Sequence, residues 1–296
     1  MNEQPRRVEH QQTDKGYVPV YTTAVVEQPW DGYSDDDHAT WGTLYQRQRE
    51  LLVGRACNEF LQAQDAMGMS PDRIPRFDEL NKVLQAATGW TLIGVEGLLP
   101  ELDFFDHLAN RRFPVTWWIR RPDQIDYIAE PDLFHDLFGH VPLLMNPVFA
   151  RYMEAYGRGG VKAHGIAPEA LVHLTRLYWY TVEFGLINTP DGLRIYGAGI
   201  VSSKGESLYS LESDAPNRIG FDLERIMRTR YRIDTFQKTY FVIDSFEQLM
   251  NATAPDFTPI YARLAEQPVI PAGDVLDSDR VFTRGTGEGW PDDADA

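Results

Sequence analysis

Apolar residues recur every three or four positions over much of the chain, which is the spacing of one buried helix face. The pattern holds for Ala39–Met67 and again for Phe77–Thr88, which Gly89 can terminate. A third such segment, Pro168–Phe184, starts with a proline suited to a first helical turn and is followed by Gly185. These segments predict a mainly helical chain.

Shorter apolar runs predict the remaining elements. Two of them, Thr91–Val95 and Val115–Ile119, have the length and composition of strands. Thr239–Phe246 fits a strand or a short helix equally well. The further predicted helices are Phe104–Asn110, Asp132–Phe138, which ends at Gly139, and Asn217–Arg230. We therefore expect a fold that is mainly α with a small β-sheet.

The two ends of the chain differ from its middle in composition. Residues 1–30 are polar and interrupted by prolines, and residues 272–296 are rich in glycine and aspartate. Such segments bury little apolar surface, so we expect a flexible N-terminal segment and a flexible acidic tail. Residues 31–271 contain no linker or repeat and are predicted to form one catalytic domain.

The charge balance excludes some functions. The chain has 44 Asp and Glu residues against 28 Lys and Arg residues, a net charge of −16. Nucleic-acid binding normally requires a basic surface, which this composition does not favour. No segment has the roughly 20 apolar residues of a membrane-spanning helix, and the first residues lack the apolar region of a signal peptide. With Cys57 as the only cysteine, we expect a soluble cytoplasmic enzyme without disulfides.

Two histidines stand five positions apart, His135 and His140, with Gly139 between them. On an ideal α-helix this spacing separates two side chains by about 140°, too far for a shared ion. If Gly139 ends the helix, the chain can turn back and bring His140 beside His135. The segment is therefore a candidate metal site.

A single carboxylate, Glu183, lies in the aromatic run Tyr178–Ile187. Burial of an ionised glutamate is costly unless a cation compensates its charge. The compensating group can be a metal ion, or it can be a guanidinium group supplied by Arg176 or Arg194. Two histidines and one carboxylate suit Fe(II) oxygen chemistry, but they also suit catalytic zinc. The residues alone leave an oxygenase and a zinc hydrolase open.

Several longer motifs are similar to those of the pterin-dependent aromatic amino acid hydroxylases, in particular the short bacterial phenylalanine hydroxylases. The resemblance extends from about Asp36 to Pro268. It is carried by VEGLL at 95–99, FPVTWWIR at 113–120, EPDLFHDLFGHVPL at 130–143, YWYTVEFGL at 178–186, and YGAGIVSS at 196–203 with Glu206. It implies a single catalytic domain of that family's kind.

The resemblance implies a reaction and its metal ligands. His135, His140 and Glu183 would hold Fe(II). With a tetrahydropterin such as tetrahydrobiopterin and O2 as co-substrate, the enzyme would convert L-phenylalanine to L-tyrosine through a ferryl-oxo intermediate. Glu183 and Asp136 would be its catalytic residues. Substrates and cofactors of this kind are small molecules, so no macromolecular partner is implied.

The resemblance also assigns the substrate and pterin pockets. Arg120 would clamp the substrate carboxylate, because guanidinium and carboxylate groups match in a bidentate pair. Ser202 would also support His135. The implied substrate-pocket residues are Arg120, Pro131, Trp179, Ser202, Ser203 and Ile233. The implied pterin-pocket residues are Gly97, Leu99, Phe104 and, through water, Asp136.

Three alternatives are kept at this point. Tyrosine or tryptophan hydroxylation is the competitor within the family, and the apolar Ile233 favours phenylalanine, since tyrosine hydroxylases carry aspartate at the matching position. A zinc hydrolase and a non-catalytic amino acid or pterin sensor are the competitors outside it. Because the chain has no room for the regulatory domain or tetramerising helix of animal relatives, we expect a monomer.

Overall fold

The structure, a computed structural model, describes residues 7, 11–13, 16–233 and 235–290. The α-helices are α1 (Asp35–Leu52), α2 (Asn58–Ala66), α3 (Phe77–Ala87), α4 (Glu101–Ala109), α5 (Pro147–Ile166), α6 (Leu171–Tyr178), α7 (Ala198–Val201), α8 (Lys204–Glu212), α9 (Leu223–Arg228), α10 (Phe246–Thr253) and α11 (Thr258–Leu264). Two π-helices, His135–His140 and Trp179–Glu183, join them. Short 3₁₀ turns lie at Trp30–Gly32, Pro122–Gln124, Pro142–Met145 and Pro168–Ala170.

The strands are short and form three small sheets. They are β1 (Gln11–Thr13), β2 (Gly16–Val18), β3 (Val25–Val26), β4 (Thr91–Val95), β5 (Arg112–Thr116), β6 (Leu186–Thr189), β7 (Gly192–Ile195), β8 (Asn217–Gly220), β9 (Thr239–Ile243) and β10 (Val281–Thr283). The sheets have the orders β1-β2, β3-β4-β5 and β10-β8-β9-β6-β7. The expectation of a mainly helical fold with a small β component is confirmed.

The first long helical prediction is divided into two helices. Helix α1 starts at a capping box in which Ser34 and Asp37 exchange hydrogen bonds, and it ends at Leu52. Gly54 has a positive φ of 73°, and the backbone N–H of Cys57 donates to Ile195 O at 2.9 Å. The chain between the helices therefore hydrogen-bonds to the edge of the five-stranded sheet, and a continuous helix from Ala39 to Met67 was the wrong prediction.

One strand prediction and one helix prediction also change. The predicted strand Val115–Ile119 lies earlier, at Arg112–Thr116, because it pairs in parallel with Thr91–Val95 residue by residue. The predicted helix Asn217–Arg230 is a strand, β8, followed by the short helix α9, which Asp222 caps by accepting from Arg225 N. For Thr239–Phe246, the strand alternative holds over β9.

The ends of the chain contribute to the fold where they are described. Val25–Val26 pairs with β4, and β10 pairs with β8. Asp279 forms a buried ion pair with Arg225 at 3.0 Å. The described parts of both ends are thus paired with the rest of the fold, and the flexibility of the two ends stays a prediction. The remaining parts of the ends, at 1–6, 8–10, 14–15 and 291–296, lie outside the described residues.

One continuous apolar core surrounds the π-helices. Phe134 and Phe138 stack with ring centroids 4.8 Å apart, and Trp41 of α1 meets Phe134 edge-on. Helix α5 lies close to α4: a Cβ on Gly157 would be 2.3 Å from Ala109 N. This packing holds the segment before His135 rigidly in the protein interior. Within the described residues, every helix is too short or too polar to cross a membrane.

Candidate metal centre and substrate cavity

The first π-helix places both histidines on one face. Its hydrogen bonds run from residue i to i+5, so residues five apart lie nearly above one another. His135 Nε2 and His140 Nε2 are 3.1 Å apart. The predicted mechanism, a helix that ends at Gly139, is wrong, because the helix continues to His140. Gly139 is needed for close approach instead: a Cβ there would lie 2.9 Å from Ala198 O.

The second π-helix ends at the carboxylate. Helix α6 stops at Tyr178, and Trp179–Glu183 continues it with the wider hydrogen-bonding pattern. Glu183 Oε1 is 3.1 Å from His140 Nε2, and Glu183 Oε2 is 3.6 Å from His135 Nε2. The arginine alternative is not realised in the described structure, since Arg176 donates to Met227 O and Arg194 to Leu193 O.

A serine fixes the orientation of the first imidazole. Ser202 Oγ donates its hydrogen to Ala198 O at 2.8 Å. Ser202 Oγ also lies 3.0 Å from His135 Nδ1. Because its only hydrogen is already donated, Oγ must accept this second hydrogen bond from an Nδ1–H group. This tautomer leaves the lone pair of His135 Nε2 directed towards His140 and Glu183. Ring orientation by a hydrogen-bonded neighbour is usual for metal-binding histidines.

The three side chains fit a metal ion by their spacing and chemistry. Ligand atoms about 2.1 Å from one ion lie roughly 3.0–3.4 Å apart for angles between a right angle and the tetrahedral value. The observed separations of 3.1, 3.1 and 3.6 Å are close to that range. Two imidazole nitrogens and one carboxylate oxygen are the donor set of an open Fe(II) site.

The ionisation of His135 and Glu183 agrees with metal binding, whereas His140 shares a proton more readily with Glu183 in the absence of an ion. Burial lowers the pKa of His135 to about 4, so its imidazole is neutral and able to bind a metal. Burial would raise the pKa of Glu183, but the two adjacent histidines outweigh it and lower that pKa. Burial likewise opposes protonation of His140, and the Glu183 carboxylate outweighs it and raises the pKa of His140.

Asp136 lies next to this cluster but is held elsewhere. A carboxylate oxygen of Asp136 is within 4.8 Å of ring nitrogens of both histidines. Its Oδ2 accepts a hydrogen bond from Thr116 N at 2.7 Å, and burial raises the pKa of Asp136 to about 6. Glu183 contacts both histidines more closely, so it is a better candidate for the third ligand than Asp136.

A cavity of about 290 Å³ opens beside the cluster and contains His135 and Glu183. The structure brings all the predicted substrate-pocket residues into its lining. These are Arg120, Pro131, Trp179, Ser202, Ser203 and Ile233. The Trp179 ring stacks on Tyr231 at 4.6 Å. Ile233 is 72% exposed at the cavity, on the connection between α9 and β9.

The arginine of this cavity has a buried partner that the sequence reasoning missed. Arg120 Nε and Nη2 donate to the two oxygens of Asp132 at 2.9 and 2.8 Å, and Asp132 is fully buried. Asp132 Oδ1 also accepts from His135 N at 3.0 Å. One carboxylate therefore positions both the guanidinium group and the start of the π-helix. The sequence did contain a signal for this role, because Asp132 is a charged residue in an apolar run, three positions before His135.

The predicted pterin residues lie in a separate group. Gly97 and Leu99 are buried in the connection between β4 and α4, and Phe104 lies on α4. The Phe104 ring meets Tyr178 edge-on at 5.5 Å, and Tyr178 stacks on His140 at 6.2 Å. None of the three lines the 290 Å³ cavity. Of the three, Phe104 approaches the metal cluster from α4, through Tyr178.

Comparison with known proteins decides the family. Residues 18–263 match the family described as biopterin-dependent aromatic amino acid hydroxylase. The chain belongs to this family. Phenylalanine-4-hydroxylase of Ralstonia nicotianae is 66% identical over 91% of this chain and 86% of that protein. The enzyme of that name from Chromobacterium violaceum is 65% identical over 90% of each chain.

Solved structures of the Chromobacterium violaceum enzyme superpose closely on this hydroxylase. The structure with bound Fe(III) has a TM-score of 0.85 at 66% identity, covering 87% of this chain and 93% of that chain. The structure with iron and phenylalanine has a TM-score of 0.84 at 62% identity, covering 88% and 96%. A further structure holds Fe(III) and 7,8-dihydrobiopterin, with a TM-score of 0.85 at 63% identity, covering 89% and 95%.

Further cavity residues of this hydroxylase came from the structure rather than the motifs. Arg47 belongs to α1, Tyr127 precedes the motif around Pro131, and Phe236 and Gln237 lie just before β9. Glu206 was noted only as part of a motif. These cavity residues come from segments far apart in sequence, and hydrophobic periodicity cannot show which exposed side chains will meet.

Proposed function

We propose that this chain is an Fe(II)- and tetrahydropterin-dependent phenylalanine 4-hydroxylase, which uses O2 to convert L-phenylalanine to L-tyrosine. The observation that carries the proposal is the convergence of His135, His140 and Glu183 beside a cavity that also contains Arg120. The first three would hold iron. The fourth supplies the positive charge that an amino acid carboxylate requires.

The three candidate ligands would leave further positions of a bound metal ion free, and two of them, His135 and Glu183, line the cavity. Two imidazole nitrogens and one carboxylate leave about three of six positions open for O2 and water. Bound iron would activate O2, with the tetrahydropterin as the two-electron donor that balances insertion of one oxygen atom into the ring. Ser202 keeps the His135 lone pair aimed at the ion, and the apolar core excludes bulk water from the ligands.

Arg120 is arranged to receive the substrate carboxylate. A guanidinium group has five N–H donors, and Asp132 takes one from Nε and one from Nη2. The remaining donors can bind a carboxylate in the fixed geometry that the Asp132 pair imposes. The amino acid would thereby be held by its carboxylate at a constant distance from the metal cluster.

The aromatic ring would lie against Trp179 and Pro131. The Trp179 ring is itself fixed by Tyr231 on one side and by Phe184 at 5.0 Å. Ile233 adds an apolar side chain to the same cavity. An apolar lining favours phenylalanine over tyrosine only modestly, by about a hundredfold at most. The para carbon is already oxygenated in tyrosine, which adds a chemical preference for phenylalanine.

Product analysis tests the proposed activity. The purified protein is supplied with Fe(II), O2, tetrahydrobiopterin and each aromatic amino acid in turn. We expect tyrosine from phenylalanine as the fastest product, and no turnover when iron, O2 or pterin is withheld. Faster formation of dihydroxyphenylalanine or 5-hydroxytryptophan would overturn the specificity. Stoichiometric zinc with O2-independent hydrolysis would overturn the reaction class.

We also propose that the enzyme acts as a cytoplasmic monomer. A net charge of −16 opposes self-association through repulsion between copies. The one cysteine, Cys57, is buried, and burial raises the pKa of its thiol to about 12, so it is not poised for disulfide exchange. Light scattering is expected to give a mass near 33.8 kDa, and a stable tetramer would contradict the proposal.

A further inference from the structure

Four carboxylate side chains line the substrate cavity, those of Asp126, Glu130, Glu183 and Glu206. Three of them have a basic partner in the described structure. The pairs are Asp126 with Arg47 at 2.6 Å, Glu130 with Arg7 at 3.6 Å, and Glu183 with His140 and His135 at 3.1 and 3.6 Å. Glu206 differs, since its hydrogen bonds within the described residues come only from neutral groups.

The contacts of Glu206 leave one of its oxygens available. Oε1 accepts hydrogen bonds from Gln237 N at 3.2 Å and from the Tyr240 hydroxyl. Oε2 has no hydrogen-bond partner among the described residues, yet it is not among the polar atoms sealed from solvent. The residue as a whole is 5% exposed. Burial raises the pKa of Glu206 to about 7, and no cation among the described residues compensates its charge.

The proposed substrate carries a positive charge that could pair with Glu206. L-phenylalanine binds as a zwitterion, and its carboxylate would go to Arg120. Since Asp132 is already paired with Arg120, the ammonium group of the bound zwitterion would need a separate carboxylate in the cavity. A buried ammonium group needs both a carboxylate and hydrogen-bond acceptors to offset its lost hydration.

We propose that Glu206 is the subsite for the α-ammonium group of the amino acid, with Oε2 as the acceptor of its hydrogen bond. The inference rests on the proposed amino acid hydroxylase function and deepens it. Glu206 is the cavity carboxylate whose charge the described residues leave unpaired. Arg120 and Glu206 would then read the two ends of the zwitterion, and Trp179 and Pro131 its ring.

Glu206 also has a structural contact that the test must separate from ligand binding. The Gln237 whose backbone it holds bridges to Arg232, with Nε2 donating to Arg232 O at 2.7 Å. This bridge spans the segment that carries Ile233. Loss of Glu206 could therefore displace the segment without any direct contact to substrate. The test has to remove the charge while retaining the hydrogen-bond acceptor.

Glu206→Gln meets that requirement, because the amide oxygen can still accept from Gln237 N and Tyr240. Its ligand discrimination is measured with competitive inhibition constants for two half-ligands. Phenethylamine has the ammonium group without a carboxylate, and 3-phenylpropanoate has the reverse. We expect Glu206→Gln to weaken phenethylamine and to raise the KM for L-phenylalanine by about 10- to 100-fold, the range of a charge-assisted hydrogen bond. The inhibition constant of 3-phenylpropanoate should stay within about twofold.

Matched variants complete the test. Arg120→Lys should show the reciprocal pattern, with 3-phenylpropanoate weakened and phenethylamine unchanged. Tyr240→Phe removes one hydrogen bond to Oε1 but keeps the charge, so it should leave the ratio of the two constants unchanged. Glu206→Asp, which restores the charge, should recover part of the phenethylamine affinity.

The inference is overturned if Glu206→Gln leaves both constants unchanged, or weakens both equally, in an enzyme whose wild type forms tyrosine. It is also overturned if phenethylamine inhibits neither wild type nor variant and the KM for L-phenylalanine is the same in both. Absence of tyrosine formation by the wild type would instead refute the proposed function, so the two failures are distinguishable.

Discussion

Two walls of the substrate cavity each bury a glutamate. The metal wall consists of the two π-helices, His135–His140 and Trp179–Glu183, and ends in Glu183. The loop wall consists of residues 203, 204, 206, 232, 233 and 235–237 and contains Glu206. Burial acts on both carboxylates in the same direction. The pKa of Glu183 is nevertheless lowered, whereas that of Glu206 is raised to about 7.

The difference lies in the neighbours rather than in the burial. Glu183 contacts two imidazoles, which are also the other candidate ligands, so the metal wall is suited to the resident cation that we propose. Glu206 contacts an amide N–H and a phenol, which do not cancel its charge. A carboxylate of this second kind suits a cation that arrives and leaves with each turnover. On the proposed roles, the neighbours of each glutamate therefore distinguish a carboxylate that holds a resident metal ion from one that binds the ammonium group of a passing substrate.

The largest expected effect comes from breaking the metal wall. His135→Ala, His140→Ala and Glu183→Ala should each abolish iron binding and tyrosine formation together, because each removes one of three ligands. Metal content by atomic emission and tyrosine formation are the measurements. His164→Ala, at an exposed position of α5, is the matched control and should retain both. Wild-type iron content with wild-type turnover in any of the three variants would refute the ligand set.

Arg120→Lys tests the guanidinium that lies between the two walls. A lysine keeps the charge but loses the planar fork that pairs with Asp132, so the KM for phenylalanine should rise about 10- to 100-fold. Iron content should not change, because the ligands are untouched. Arg121→Lys, whose guanidinium is 62% exposed, is the control. Unchanged saturation by phenylalanine in Arg120→Lys would place the carboxylate contact elsewhere.

Glu206→Gln tests the difference between the two glutamates through the pH dependence of the free energy of unfolding. The pKa of Glu206 in the folded protein, about 7, exceeds its ordinary value of 4.5, so the folded state binds this proton more tightly than the unfolded state. The stability that this proton contributes to the wild type is present below the ordinary pKa and is lost as pH rises through about 7. The amide side chain introduced by Glu206→Gln does not titrate, so the variant shows no such loss.

The free energy of unfolding of Glu206→Gln minus that of the wild type should therefore increase between pH 5.5 and 8 by about 2 kcal/mol, an order-of-magnitude figure from linkage. Denaturant unfolding of the ligand-free proteins at the two pH values measures it. A difference that is constant with pH would show that Glu206 is already ionised at low pH, as Glu183 is.

The smallest effect concerns the apolar part of the loop wall. Ile233→Asp adds a carboxylate beside the position of the substrate ring, so it should reduce phenylalanine hydroxylation and improve the relative rate on tyrosine by about tenfold. The ratio of kcat/KM values for the two amino acids is the measurement, with Ile233→Val as the apolar control. An unchanged ratio would remove Ile233 from the determinants of specificity.

The sequence predicted the metal wall better than the loop wall, for physical reasons. His135, His140 and Glu183 stand in apolar runs, where polar side chains are conspicuous. The error concerned the helix type: periodicity cannot show one extra residue per turn, so the fit of His140 was attributed to a helix end at Gly139. Asp132 was overlooked because an aspartate near a helix start has an ordinary explanation as a cap.

The loop wall is assembled by contacts between segments distant in sequence. Gln237 meets Glu206 across 31 positions, and Arg47 lies on the first helix. Such contacts have no local period. The same limitation explains the fold errors, since β8 and β10 are strands because of their partners, and Asn217–Arg230 carries enough apolar residues to suit a helix as well.

The two π-helices have a consequence for how this site can change over evolutionary time. Each differs from a regular helix by a single additional residue within a turn. Loss of one codon between His135 and His140 would shorten their separation to four, a spacing at which a regular α-helix also presents two side chains on one face. The chain could still form a helix there, and the two histidines could still face one ion. The histidine pair can therefore exist on either type of helix, and the gain or loss of a single codon is enough to pass from one type to the other.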